Sequence, residues 1–162
     1  MAKTQDSLYV RLQENEITKV IIPNNYTPIE IITIGLLRCI NPRLINFEIA
    51  KKSTVKQVDL DDIKTLTLNL GGSKDSFNFD SEDQNEKTGT NESVFSIIYK
   101  ELKEFFPEYI KDSFEEDIIF PTENGGMLYK YIEKILNQGT SIAFSQAVKE
   151  AHHFIKIWTI YK

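Results

Sequence analysis

Thr27-Pro28-Ile29-Glu30-Ile31-Ile32-Thr33-Ile34-Gly35-Leu36-Leu37-Arg38-Cys39-Ile40-Asn41-Pro42 is the stretch on which the fold turns. A hydroxyl at the N-cap, proline at the first helical position and a glutamate three residues after the cap together specify a helix start. Tyr26 and Ile31 occupy the positions of a hydrophobic staple. The residues through Ile40 are apolar almost all round, so the helix belongs in the centre of the molecule rather than on its surface. Gly35 in mid-helix costs roughly 0.5 to 1 kcal/mol relative to alanine, which points to a neighbour approaching its backbone closely. Asn41-Pro42 ends the helix, because proline disfavours helical geometry in the residue before it.

Upstream, Leu8, Val10 and Leu12 alternate with Tyr9 and Arg11, and Ile17 to Ile22 forms a β-branched run; the pair predicts a hairpin. Downstream, Ile45, Phe47 and Ile49 alternate with polar residues, and the stretches Thr54 to Leu60 and Ile63 to Leu70 continue the pattern. Short connections between them predict an antiparallel meander, since a parallel crossover needs about a dozen residues or more. Residues 73–91 are polar and acidic, with Phe77 and Phe79 as their large apolar groups, and predict a mobile loop.

A helical period then returns. Val94, Phe95, Ile98, Leu102, Phe105 and Phe106 make one stripe, which Pro107 breaks; a short helical piece follows over Glu108 to Phe114, then an extended Ile118 to Phe120. Met127 to Leu136, stopped by Gly139, and Ser141 to Tyr161 complete the helices. The expected fold is α+β, a single domain over 1–162. An N-terminal antiparallel sheet of about five strands holds one inserted central helix, and three C-terminal helices pack on it.

With 162 residues, 41% hydrophobic and 27% charged, the chain has the means to bury a core without disulfide or metal staples. Cys39, the single cysteine, excludes a disulfide framework within the chain and reads as a small hydrophobe. No secretory signal or spanning segment is evident, so a cytoplasmic protein without membrane attachment is expected. The net charge of -5 argues against general attraction to phosphate backbones.

The chemistry-bearing residues do not assemble into a known signature. His152 and His153 are adjacent and point about 100° apart on a helix, so a structural or surface role is the expected one. Counted from Asp80, the sixth and twelfth positions are Asn85 and Asn91, where a calcium loop needs glycine and glutamate. Gly71-Gly72-Ser73-Lys74 lacks the spacing of a phosphate loop, and Asn124-Gly125-Gly126 is a commonplace turn. No cofactor is expected.

Lopsided charge stands out instead: Arg38, Arg43, Lys51, Lys52 and Lys56 stand against Glu48 alone in an otherwise acidic chain. These five residues are the candidate partner-binding set. The leading expectation is a small protein-binding module, an accessory, immunity or regulatory subunit, working by surface contact through a sheet edge or its C-terminal helices. A nucleic-acid-binding accessory protein using the basic 38–56 segment ranks second. An enzyme using Glu115, Glu116 and Asp117 with His153 ranks third. The bland alternative for the basic residues is pairing with the acidic stretch of the same molecule. On the leading reading, apolar residues are spent on the core and no polar-lined cavity is expected.

Overall fold

The computed structural model describes residues 7–72, 77–89, 92–102 and 126–161. The sheet is parallel throughout, not antiparallel, and has four strands among the described residues in the order β2-β1-β3-β4. They are β1 (Lys19–Pro23), β2 (Asn46–Ala50), β3 (Thr65–Leu68) and β4 (Asn78–Phe79). The helices are α1 (Leu8–Gln13), α2 (Pro28–Ile40), α3 (Gln57–Asp61), α4 (Ser81–Thr88), α5 (Val94–Leu102), α6 (Met127–Leu136) and α7 (Ala143–Tyr161), with a 3-10 turn at Lys52–Thr54.

Two segments account for the correction. Leu8 to Gln13 is helical: Ser7 caps it, its Oγ accepting from the Val10 amide at 3.2 Å, and Leu8 and Leu12, four apart, point into the core. Thr54 to Leu60 is not a strand either. It becomes the end of the 3-10 turn and α3, which leaves Val58 69% exposed and buries Leu60. What reads as two tight turns around a strand is one connection from β2 to β3, long enough to cross β1 and return parallel.

The acidic stretch predicted to be a mobile loop carries β4 and α4. Asp80 caps α4 by accepting from the Asp83 amide at 3.1 Å, and Gly89 ends it at φ +71°. Chain reversal between β3 and β4 uses left-handed backbone at Asn69 and Gly71-Gly72. A Cβ on Gly72 would lie 2.6 Å from the Asn78 side chain. That asparagine is buried, accepting from Thr67 Oγ1 at 2.8 Å and donating to the Leu60 carbonyl at 2.7 Å, so it fastens α3 and β4 to β3. The expectations over Glu108 to Phe114, Ile118 to Phe120 and the acidic Glu115 to Asp117 fall outside the described residues.

Register puts Val20, Ile22, Phe47, Leu66, Leu68 and Phe79 on one sheet face, in a continuous core with the helices. The opposite face carries Ile21, Thr65, Thr67 and Asn78, with Leu60 of α3 near them. At the heart of the helical layer is α2, which meets α1, α5, α6 and α7. Its capping box is complete, and from Pro28 to Leu37 only Ile29 is not fully buried. Gly35 is where α7 comes closest, since a Cβ there would meet the Ala151 carbonyl carbon and the His152 amide nitrogen at 2.9 Å.

That contact is with backbone, which cannot swing aside. Gly35→Ala should therefore lower stability by about 1 to 3 kcal/mol despite alanine's better helix propensity. Urea denaturation checks this; a variant as stable as the parent would show that the two helices have room to spare.

Candidate functional site

Strand order reverses between β1, whose chain leaves through α2 to β2 on one side, and β3 on the other. In open parallel sheets such a reversal opens a crevice at the carboxyl ends of the strands. Here the crevice is about 290 Å³, lined by Pro23 at the end of β1 and Asn25 after it, Thr27 and Glu30 at the start of α2, Lys52 beyond β2, Asn69 after β3, and Asp80 to Glu82. Its existence corrects the expectation of an exterior with no polar-lined cavity.

The lining is a connected set of hydrogen bonds. Glu30, 5% exposed, accepts through Oε1 from the Thr27 amide and hydroxyl, both at 2.8 Å, and through Oε2 from Asn69 Nδ2 at 2.6 Å. Asn69 in turn accepts from the Ser81 amide at 2.8 Å and from its hydroxyl at 3.0 Å. Asp80 accepts from the Gly71 and Asp83 amides, and Lys52 Nζ sits 2.9 Å from its Oδ2 and 3.5 Å from Glu82. Burial pushes the Asp80 carboxyl up, but the Lys52 ammonium and the two amides outweigh it and hold the group below the usual carboxylate range. The hydrogen bond to Asp80 raises Lys52 correspondingly, against a smaller effect of burial.

Two helices begin at this crevice, and each already has a carboxylate of the chain at its amino end, Glu30 on α2 and Asp80 on α4. The positions where a phosphate gains most from helix amides are thus taken. Three carboxylates face a single ammonium, and Ser81 gives its hydroxyl proton to an amide oxygen rather than to a base. No group of three or more metal-ligating side chains occurs among the described residues.

The five basic residues do not converge. Arg38, half-buried, lies in the last turn of α2 and donates to the Pro42 carbonyl, and exposed Arg43 precedes β2. Lys51, Lys52 and Lys56 follow β2, a strand about 16 Å long. Lys52 is paired with Asp80 and Glu82, within the acidic stretch of its own chain. On α7, His153 is exposed and His152 half-buried; burial, then Arg38 and Lys156, push the His152 imidazole below its ordinary pKa. Burial lifts the Cys39 thiol to about 12, which keeps it un-ionised at neutral pH.

Next to the crevice lies the outer edge of β2, on which no strand packs among the described residues. Ile49 within the strand is 52% exposed, and Ile45 just before it 65%. On the same sheet face as Ile49, Phe47 meets Phe144 of α7 with ring centroids 6.1 Å apart, and Phe144 meets Tyr26 edge-on at 5.5 Å. Sequence reading singles out this strand and Lys52, but not Glu30, Asn69, Asp80 and Ser81 as a group. Their one signal is the capping box, which reads as a helix start.

Because the Asp80 carboxyl is held low, its contribution to stability is fully present above the ordinary aspartate pKa of about 3.9 and is lost as pH falls through the lower native value. Asp80→Asn should cost roughly 2 kcal/mol at neutral pH, with the gap to the parent closing as the solution is acidified into that window. Paired urea titrations between neutral pH and pH 2.5 read this out, and a gap independent of pH would show that the charge on Asp80 contributes nothing. No family model, no curated protein and no solved structure matches this chain.

Proposed function

We propose that this chain is a protein-binding module, an accessory or regulatory subunit that acts by contact along the outer edge of β2. The observation that carries the reading is the edge itself. An end strand presents a row of backbone donors and acceptors, and natural sheets commonly blunt such edges with charge, proline or a covering element. β2 keeps its one charge, Glu48, on the other face in a pair with Lys19, and leaves Ile49, with Ile45 just before the strand, exposed beside Phe47, which packs on Phe144. Strand addition uses this combination, in which backbone hydrogen bonds supply affinity and alternate side chains supply selectivity.

Two features of the crevice favour contact over catalysis. Its hydrogen-bonding groups are engaged with one another, and Asp80 is held as the carboxylate, unable to serve as an acid near neutral pH. Nucleic-acid binding has less support, because the basic residues separate to the two ends of β2 and Lys52 is neutralised within the chain.

Lysine cross-linking in native extract tests the proposal. Cross-links to another polypeptide should concentrate on Lys51 and Lys56, both exposed where β2 ends, and Ile49→Lys should remove them. Cross-links spread evenly over the surface lysines, or unchanged by the substitution, would overturn it.

A second reading draws on the crevice's position at the strand-order reversal, where small ligands bind in parallel sheets. With helix amino ends occupied and carboxylates in excess, the fitting ligand is a small amine that competes with Lys52 for Asp80 and Glu82. Spermidine titrated into isotope-labelled protein should shift the amide resonances of Asn69, Gly71 and Ser81; resonances that stay fixed would dispose of this reading.

A further inference from the structure

The exposed strand has a pattern that reads alike in both directions. Ile45-Asn46-Phe47-Glu48-Ile49 runs apolar, polar, apolar, polar, apolar about Phe47. Backbone direction matches it. The Ala50 carbonyl accepts from the Asn24 amide at 2.9 Å, on the β1 side, so alternation turns the amides and carbonyls of Phe47 and Ile49 outward, and the pairing proposed here continues it one residue ahead of β2 to Ile45.

We infer that β2 pairs antiparallel with β2 of a second copy of this chain, across a two-fold axis at Phe47. This rests on the contact reading above and names its partner. In that register Phe47 faces its counterpart, Ile45 faces Ile49 of the other copy, and Asn46 faces Glu48. The three outward-turned residues fall on the hydrogen-bonded pairs of an antiparallel ladder, while Asn46 and Glu48 form the closer, non-bonded pairs. An amide beside a carboxylate is compatible there. An axis at Glu48 would instead set two carboxylates directly opposite one another and leave Ile45 facing Lys51, so charge selects the first register.

The same axis keeps both core-side faces on one side, giving a sheet continuous through two copies with Phe144 of each behind the joint. Two exposed edges then cover each other. Beyond the paired segment, Arg43 approaches Lys51 of the other copy, a like-charge contact that salt screens. Association by this joint therefore strengthens with salt, whereas docking of an acidic peptide onto the same basic ends weakens.

Sedimentation equilibrium over a range of concentrations, in low and high salt, tests the inference. The expected result is a reversible species of twice the chain mass that tightens as salt is added. Ile49→Pro removes an outward amide and leaves the Glu48 and Ala50 bonds to β1 in place, so it should give a monomer that still unfolds cooperatively. Glu48 already holds Lys19 of its own chain at 3.0 Å, so the informative change is Asn46→Asp, which sets carboxylate opposite carboxylate twice and should loosen association roughly fivefold. A monomer at every concentration, or a dimer indifferent to both substitutions, overturns the inference. If a monomer still cross-links to a different protein at Lys51 and Lys56, the contact reading stands without the second copy; if neither is seen, both fall.

Discussion

A buried carboxylate sets the terms for one end of this molecule. Glu30 is almost entirely out of water, and an ionised group there is tolerable only when each oxygen finds donors. Oε1 takes both donors of Thr27, and Oε2 takes the Asn69 side chain. To present that amide, Asn69 stands in left-handed backbone at φ 57° just past β3, and its oxygen then receives Ser81 at the head of α4. One helix cap thus fixes how β1, α2, β3 and α4 meet. The reversal in strand order is held by polar bonds at its mouth and by apolar packing below.

The legible parts of the fold were those specified by local chemistry. Thr27 to Asn41 announces a helix by cap, proline and terminator, and its all-round burial follows from having apolar residues on every face. Gly35 likewise signals a close neighbour, which α7 provides. Strand direction is different in kind, because it depends on whether a connection is long enough to cross over. Taken as a strand, Thr54 to Leu60 leaves connections too short for a crossover and implies antiparallel neighbours; the segment instead turns into α3. Val20-Ile21-Ile22 held the contrary clue: three consecutive buried aliphatics suit a parallel strand covered on both faces better than a half-solvated hairpin.

The crevice was less legible still. Its residues come from positions 23 to 82, and those that stand out have ordinary explanations alone: Thr27 and Asp80 as caps, Asn69 as a turn former. Only topology makes them neighbours. The basic cluster shows the converse, since residues close in sequence are divided by the length of β2, and Lys52 turns back onto the carboxylates of its own chain. Charge asymmetry along a sequence is not charge asymmetry on a surface when a strand runs through the middle of it.

The seat of α7 on α2 has a bearing on how the chain comes to be made. Cys39 Sγ reaches the His152 carbonyl across 113 positions, and the groove over Gly35 is filled by the backbone of that same late helix. Until α7 has been synthesised, α2 has been emitted but lacks the surface that closes over it. The nascent part ahead of α7 carries an incompletely covered oily helix, so cooperative closure waits for α7, and deleting that helix removes the keystone rather than an ornament.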